Sequence, residues 1–241
     1  MQMKRIGLIG GTSWESTVIY YRLFNERVRD RLGGLHSARL ILSSVDMEEM
    51  DQHMRAGDWN GLGEKLAEEA RRLKRASAEA IILCTNTMHK VADHIRAASD
   101  LPFLDIREAT GRAIVARGVK RPLLLATRYT MESDFFARRL EADFGLQPVI
   151  PNADDRTVIH DVIFNELCRG IVRPEAKAAY LAAVGKAREA GADGVIFGCT
   201  EIGMLLSQAD LDLPAFDTTP IHVDAALDFA FGGAHALQSA A

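Results

Sequence analysis

Two short segments of the chain resemble each other, and each carries a cysteine followed by a threonine at the end of an apolar run. They read A-I-I-L-C-T-N-T at positions 80–87 and G-V-I-F-G-C-T-E at positions 194–201. Continuous apolar runs of this length are typical of strands buried in a parallel sheet. A strand end that feeds a helix start leaves backbone N–H groups unpaired and lowers the pKa of a nearby thiol. The repeat therefore predicts an α/β fold in which Cys84 and Cys199 form a paired acid and base.

A second pair of segments supports an internal duplication. G-L-I-G-G-T-S-W-E-S at positions 7–16 and L-L-L-A-T-R-Y-T-M-E-S at 123–133 each read as a strand, a polar turn and a Glu-Ser pair. The spacing agrees, because the two glutamates lie 117 positions apart and the two cysteines 115. We expect two pseudo-symmetric α/β lobes, each a parallel sheet flanked by helices, with a small-molecule active site in the cleft between them.

Eight apolar runs, separated by helical patterns, predict the strands of these sheets. They lie near 5–10, 38–45, 79–84, 102–105, 121–126, 147–150, 193–198 and 213–217. We expect the chain to cross between lobes near position 105 and again near 217. The first lobe would then hold 1–105 with a returning C-terminal helix in 218–241, and the second lobe would hold 106–217.

Charge and composition exclude several classes of protein. The 29 Lys and Arg residues and 33 Asp and Glu residues are scattered, so no basic surface indicates nucleic-acid binding. No apolar run approaches the roughly 18 residues that a bilayer-spanning helix needs. The three cysteines show neither Cys-x-x-Cys spacing nor a Cys/His cluster, which indicates reduced thiols and no metal site. We expect a cytoplasmic protein that binds a small molecule.

The first polar turn has two interpretations. T-S-W-E fits a capping box in which Thr12 is the N-cap and Glu15 reaches back to it. The glycines before it, Gly11 among them, could instead help to hold a substrate carboxylate at the helix start. Because the spacing matches neither G-x-G-x-x-G nor G-x-x-x-x-G-K, nucleotide binding is disfavoured.

Polar residues follow both cysteines. Thr85, Asn86 and Thr87 come after the first, and Thr200 and Glu201 come after the second. Helix capping by threonine or asparagine explains one or two of the five. The remaining hydroxyl and amide groups suit the two oxygens of an α-carboxylate. Glu201 could accept a hydrogen bond from an ammonium group or tune the neighbouring thiol.

Four other residues have ordinary structural interpretations. Cys168 lies in an amphipathic helical pattern and is expected to serve packing. His89 and His94, on the helix expected after the first cysteine, are interpreted as solvent-exposed. Arg169 either complements a helix dipole or reaches the cleft.

One reaction needs a base on each side of a carbon atom. Inversion of an amino-acid stereocentre removes the Cα proton from one face and returns a proton to the other. A thiolate is a competent base near neutral pH, and a thiol is the matching acid. Each sulfur must approach Cα to about 3–3.5 Å, so the two sulfurs should lie roughly 7 Å apart. Such a pair requires no Schiff-base cofactor.

The chain resembles a known family at these same residues. I-G-L-I-G-G-T-S-W-E-S-T, L-C-T-N-T-M-H-K and F-G-C-T-E-I-G are similar to segments of the aspartate/glutamate racemase family, in particular its broad-specificity amino-acid racemase branch. R-L-G-G-L-H-S-A at 31–38 and F-D-T at 216–218 extend the likeness over essentially the full length. The resemblance implies a cofactor-independent racemase, usually dimeric, with Cys84 and Cys199 as its two bases.

The resemblance also implies the substrate contacts. It assigns the α-carboxylate to Thr85, Asn86, Thr87 and Thr200. It adds two turns that line the cleft, at Gly11, Thr12, Thr127 and Thr130.

Departures from the family pattern concern the substrate. Aspartate-selective members carry an arginine in the loop after the second strand, whereas positions 43–50 read S-S-V-D-M-E-E-M. An acidic loop receives a second carboxylate poorly, which favours a broad range that includes neutral amino acids, with Met54 lining the side-chain pocket. Arg169 would supply positive charge if it reaches the cleft, so selectivity for aspartate or glutamate stays open. A non-catalytic amino-acid-binding protein is a further alternative, and retention of both thiols argues against it.

Overall fold

The computed structural model describes residues 3–233. Residues 234–241, which the sequence assigns to the first lobe, lie outside the described residues. The described chain divides into two compact units. The first contains the residues up to Ile106 and those from His222 onward, and the second contains Arg107–Ile221.

The first unit is built on a parallel three-stranded sheet. Strand β1 (Ile6–Gly10) lies between β2 (Leu40–Ser44) and β3 (Ala80–Leu83). The helices of this unit are α1 (Trp14–Leu32), α2 (Met47–Ala56), α3 (Trp59–Arg75), α4 (Ala92–Ala98) and α11 (Thr218–Ala230), the last of which begins just before the boundary.

Alternation along the strands sets which side chains share the core of the first unit. Side chains two apart on a strand share one face of the sheet. Ile6, Leu8, Ile82 and Cys84 therefore lie in one apolar cluster with Tyr20, Phe24 and Val28 of α1 and with Val223 and Ala226 of α11. The first cysteine thus belongs to the face of the sheet that carries α1 and α11.

The second unit repeats this plan. Strand β4 (Pro122–Leu125) pairs with β5 (Gly194–Phe197), and β5 pairs with β6 (Ala215–Asp217), all in parallel. Its helices are α5 (Ile106–Ala116), α6 (Arg128–Met131), α7 (Asp134–Phe144), α8 (Ala153–Asn165), α9 (Pro174–Glu189) and α10 (Ile202–Leu205). The α/β class with two helix-flanked parallel sheets, predicted from the sequence, is confirmed.

Two of the predicted strands are reduced to single β-bridges. Phe103 bridges Ile81 and Val149 bridges Leu123, each in the parallel sense, so that each sheet gains one further member at an edge. A proline precedes each bridging residue in the sequence. Pro102 cannot donate to the ladder, and in the second unit Gln147 still donates to Lys120 while Pro122 of β4 has no N–H to return. Pairing therefore stops after one bridge, and the predicted strands 102–105 and 147–150 do not form.

Within residues 3–233, none of the helices combines the length and the apolar character that crossing a lipid bilayer requires.

Candidate active site

Cys84 follows directly from the end of β3. Its N–H donates to the carbonyl of Ile9 at 2.9 Å, which continues the pairing with β1, and its side chain is fully buried. The next N–H, of Thr85, turns back to the carbonyl of Leu83 at 2.8 Å. A bond between residues two apart closes a γ-turn. Cys84 is the central residue of that turn.

Two hydroxyl groups, one from the turn after β1 and one from the first turn of α1, hold the carbonyl oxygen of Cys84. Thr12 Oγ1 donates to it at 3.3 Å and Ser16 Oγ at 3.2 Å. The prediction that Thr12 is the N-cap of α1 is wrong, because Ser13 occupies that position and accepts from the N–H of Ser16. Ser13 adopts a φ of 81°, which is uncommon for a residue with a side chain. This conformation leaves the Thr12 hydroxyl available to Cys84.

Gly11 allows the backbone of this turn to pass close to the backbone of Val45. Its φ is +81°, and a Cβ atom there would lie 2.1 Å from the carbonyl oxygen of Val45. Its N–H donates to Thr17 Oγ1 at 2.8 Å. Gly11 therefore shapes the backbone that presents Thr12.

The residues after Cys84 form a tight turn where the sequence predicts the start of an α-helix. A 3-10 turn spans Thr87–Val91, and α4 begins only at Ala92. Asn86 and Thr87 are buried, and Thr85 is half-buried. Asn86 stands at the N-cap position, but its side chain makes no capping hydrogen bond. Capping therefore does not account for this buried amide.

His89 is buried, which contradicts the expectation of solvent exposure. Only 1% of its surface is accessible. Its Nδ1 lies 2.7 Å from the carbonyl oxygen of Thr85, and its Nε2 lies 3.3 Å from the backbone nitrogen of Ile106. His94 is half-buried, with Nδ1 3.5 Å from Glu64 Oε1.

In the second unit the cysteine is displaced by one residue relative to the sheet. The N–H that continues the pairing of β5, with the carbonyl of Leu125 at 2.7 Å, belongs to Gly198. A Cβ at Gly198 would lie 2.7 Å from Leu124 Cδ1, so the chain passes close to β4 at this point. Cys199 comes one position later. Cys84 and Cys199 are therefore not equivalent in strand register, although their flanking sequences are similar.

A buried carboxylate lies against Cys199. Glu201 is 2% exposed, and its Oε2 accepts from Cys199 Sγ at 2.9 Å and from Thr200 Oγ1 at 2.8 Å. Cys168 Sγ lies 3.8 Å from Oε1 of the same carboxylate. The prediction that Cys168 lies on a helix is wrong, because α8 ends at Asn165 and Cys168 lies in a following 3-10 turn.

Both thiols have raised pKa values, which reverses the expectation drawn from helix starts. Burial raises the pKa of Cys84. Burial and, secondarily, the negative charge of Glu201 raise the pKa of Cys199 well above its ordinary value. Removal from water disfavours the thiolate more than the short helical turns here can offset. Each thiol is thus a proton donor near neutral pH and a strong base once its proton has left.

The remaining predicted site residues occupy three other elements. Thr127 is the N-cap of α6, and its Oγ1 lies 3.3 Å from Thr130 Oγ1, with both residues buried. Met54 is buried on α2. Arg169 is exposed in the same 3-10 turn as Cys168. Across residues 3–233, no group of three or more His, Cys, Asp or Glu side chains is arranged to bind a metal ion.

Sequence reasoning missed Ser16 and gave His89 and Cys168 the wrong surroundings. Ser16 lies within the helical pattern of α1, and only the fold brings its hydroxyl to Cys84. His89 lies five positions after Cys84, and the short turn between them, which replaces a helix, directs its ring inward. Cys168 is 33 positions from the carboxylate that it contacts. The contacts of Ser16 and Cys168 join distant positions, which leave no local sequence pattern.

Comparisons with known proteins identify the family of this chain. Residues 9–226 match the family described as Asp/Glu/hydantoin racemase. The crystal structure of a putative Asp/Glu racemase from Yersinia pestis is 48% identical, with a TM-score of 0.88 over 95% of this chain and 100% of that chain. An aspartate racemase homologue from Pyrococcus horikoshii OT3 is 35% identical, with a TM-score of 0.83 over 95% and 100% of the two chains.

A more distant structure shares the fold. Glutamate racemase from Francisella tularensis, solved with D-glutamate, is 12% identical, with a TM-score of 0.66 over 100% of this chain and 86% of that one. The match to the family extends over most of the sequence and includes both cysteine turns. The chain therefore belongs to the Asp/Glu/hydantoin racemase family, whose racemases are isomerases.

Proposed function

We propose that this protein is an amino-acid racemase that inverts Cα without a cofactor, using Cys84 and Cys199 as opposed acid and base. One observation carries the proposal. Each unit presents one buried cysteine within two residues of the end of a sheet strand, next to hydroxyl-bearing side chains. This is the pair of groups that a two-base inversion requires.

The proposed reaction balances without any outside reagent. One cysteine, as thiolate, takes the Cα proton, so that a Cα–H bond breaks and an S–H bond forms. The electron pair left on Cα delocalises into the α-carboxylate, where hydroxyl and amide donors stabilise it. The other cysteine gives its S–H proton to the opposite face and becomes the thiolate. The reverse reaction exchanges the two roles.

Contacts to the substrate follow from the polar residues at the two cysteine turns. We assign binding of the α-carboxylate to Thr85, Asn86, Thr87 and Thr200. The turns that contain Gly11, Thr12, Thr127 and Thr130 would line the cleft around the substrate. Glu201 would receive the α-ammonium group. A positive charge beside Glu201 would offset the negative charge that raises the pKa of Cys199, and so would help to form its thiolate.

The proposed substrate range is broad and includes neutral amino acids. The acidic segment after β2 supports this, because two cations on the helices that follow, Arg55 and Lys65, already pair with its own carboxylates. Glu48 lies 2.9 Å from Arg55, and Glu49 lies 2.9 Å from Lys65. Met54, on the same helix, would line the side-chain pocket. The alternative, selectivity for aspartate or glutamate, is supported by Arg169, whose exposed guanidinium shares a turn with Cys168.

We also propose a cytoplasmic homodimer. Trp14, Val18 and Tyr21 lie on one face of α1 and are largely exposed. A second copy of the chain would remove this apolar stripe from water. Three free cysteines suit a reducing compartment.

Incubation of the purified protein with single-enantiomer amino acids in heavy water tests the proposal. The panel should contain neutral, basic and acidic members and no pyridoxal phosphate. We expect loss of optical rotation together with deuterium incorporation at Cα for at least one amino acid. Absence of both for every member, with binding still detectable by calorimetry, would instead favour an amino-acid-binding protein.

A further inference from the structure

Both nitrogens of the buried His89 ring face polar neighbours. Nδ1 lies 2.7 Å from the carbonyl oxygen of Thr85, and because a carbonyl can only accept, Nδ1 carries a proton that it donates there. Nε2 lies 3.3 Å from the backbone nitrogen of Ile106 and 3.9 Å from Oδ1 of the buried Asp105. His89 therefore joins Thr85, the residue after Cys84, to the segment around Ile106.

A second buried histidine supports the first. The rings of His89 and His222 lie 6.0 Å apart, and Phe103 packs on His89 at 5.4 Å. His222 accepts from the Tyr20 hydroxyl at 2.9 Å and donates to the Leu104 carbonyl at 2.8 Å. Burial lowers the pKa of His222 to about 4, so this ring is neutral near pH 7. The His89 ring therefore packs against fixed neighbours.

These bonds restrain the cysteine turn from two sides. Hydroxyls of Thr12 and Ser16 hold the carbonyl of Cys84, and His89 holds the next carbonyl, of Thr85. The direction of the Cys84 side chain depends on the orientation of these two peptide groups. Proton transfer to carbon is sensitive to such placement, since an error of about 1 Å costs on the order of 100-fold in rate.

We propose that His89 is a positioning residue for this racemase: its Nδ1–H bond to Thr85 fixes the direction of the Cys84 thiol. This inference rests on the proposed role of Cys84 as one of the two bases. His89 itself exchanges no proton with the substrate in this scheme.

Two substitutions separate the two bonds of the ring. In His89→Asn the amide NH₂ can take the place of Nδ1–H and keep the bond to Thr85. In His89→Gln the longer side chain reaches toward the Nε2 position, so it can serve Ile106 but not Thr85. We expect kcat to fall roughly 10- to 100-fold in His89→Gln and by less than about 3-fold in His89→Asn. His94→Asn, on the neighbouring helix α4, is the matched control and should resemble the wild type.

Isotope effects provide a readout that a general loss of structure would not change. The variant Cys84→Ser identifies the enantiomer whose Cα proton Cys84 removes, because exchange from that enantiomer should stop. In His89→Gln, the isotope effect of Cα deuterium on kcat/KM should rise for that enantiomer, because Cys84 has become the slower base. It should fall for the other enantiomer, whose proton Cys199 removes. A smaller amount of correctly folded enzyme would leave both isotope effects unchanged.

The outcomes separate this inference from the proposed function. If the wild type racemises no amino acid, the proposed function fails. If the wild type racemises and folded His89→Gln keeps the wild-type isotope effects, the positioning role is wrong. Should His89→Gln fail to fold, His89→Asn still decides: wild-type kcat and isotope effects support the role, and a fall in kcat of more than about 10-fold in the folded variant overturns it.

Discussion

The two cysteine turns arise from similar sequences, but their surroundings differ. At Cys84, two side-chain hydroxyls donate to the backbone carbonyl of the cysteine. Burial alone raises the pKa of its thiol. Around Cys199 they go to the carboxylate of Glu201, which contacts the thiol itself. The first turn controls the position of its sulfur, and the second controls its charge.

This difference implies that the two turns influence catalysis in different ways. The pKa of Cys199 responds to anything that neutralises Glu201, including an ammonium group. The pKa of Cys84 is raised by burial and not by an acidic side chain. We therefore expect substitutions near Cys84 to act on geometry, and substitutions near Cys199 to act on protonation.

The largest effect should follow from removing either sulfur. Cys84→Ser and Cys199→Ser should each lower the rate of racemisation by about 1,000-fold or more, because a hydroxyl is a far weaker acid than a thiol and forms almost no alkoxide near neutral pH. Polarimetry with the best substrate of the wild type measures this loss. Cys168→Ser is the control with the third cysteine, and a loss as large as that of the other two would contradict the two-base assignment.

Removal of the charge at Glu201 should affect only the second turn. Glu201→Gln keeps the shape, but it removes a negative charge that raises the pKa of Cys199, so that pKa should fall. The pKa of Cys199 is obtained from the pH dependence of the rate of thiol alkylation, measured in a Cys84→Ser, Cys168→Ser background. We expect racemisation to slow roughly 10- to 100-fold as the ammonium contact is lost.

The matching measurement at Cys84 should give no shift. Glu201→Gln in a Cys199→Ser, Cys168→Ser background should leave the alkylation profile of Cys84 unchanged. Equal shifts at both cysteines would mean that the two turns are not electrostatically distinct.

A smaller effect is expected from the hydroxyls that hold the Cys84 carbonyl. Ser16→Ala removes one of the two donors from a fully buried site, and it should lower the free energy of unfolding by about 1 kcal/mol. It should lower kcat by roughly 3- to 10-fold through the position of the sulfur, with the alkylation pKa of Cys84 unchanged. Urea unfolding and steady-state kinetics measure the two quantities. Ser37→Ala, at an exposed position, is the control.

The smallest effect concerns stability against pH, where two buried groups act in opposite directions. Burial lowers the pKa of His222 from 6.5 to about 4, so the unfolded chain binds more protons there and stability is lost as pH falls through that range. Burial raises the pKa of Asp217 from 3.8 to about 6, so its contribution is lost as pH rises toward 6. Each contributes a slope of at most about 1.4 kcal/mol per pH unit, with opposite sign.

Single substitutions should separate these slopes. Asp217→Asn should make the free energy of unfolding rise more steeply with pH between about 4 and 6. His222→Asn should make it fall with pH over the same range. Urea titrations across this range provide the slopes, and a slope that neither variant changes would contradict the assigned shifts.

Periodicity and apolar runs sufficed to predict the two parallel sheets and the placement of Cys84 and Cys199 at strand ends. They could not predict that pairing around Phe103 and Val149 is limited to single bridges. Nor could they predict the one-residue displacement of Cys199, because a glycine that continues a strand looks the same in sequence as one that ends it.

The chemistry of the two turns was predictable only in part. The polar residues after each cysteine mark a site, but the direction of a pKa shift depends on burial, which only the packed structure determines. For the same reason His89 was misjudged, since its partner Ile106 is brought close only by the fold. Contacts between distant positions, such as that of Cys168 with Glu201, leave no signal in one sequence.

Deuterium incorporation from each enantiomer, followed by proton NMR in heavy water, tests most directly whether the two cysteines act on opposite faces of one carbon. Cys84→Ser and Cys199→Ser should each exchange the Cα proton of one enantiomer only, and the two variants should exchange opposite enantiomers. Exchange of the same enantiomer by both variants, or of both enantiomers by either one, would contradict the assignment.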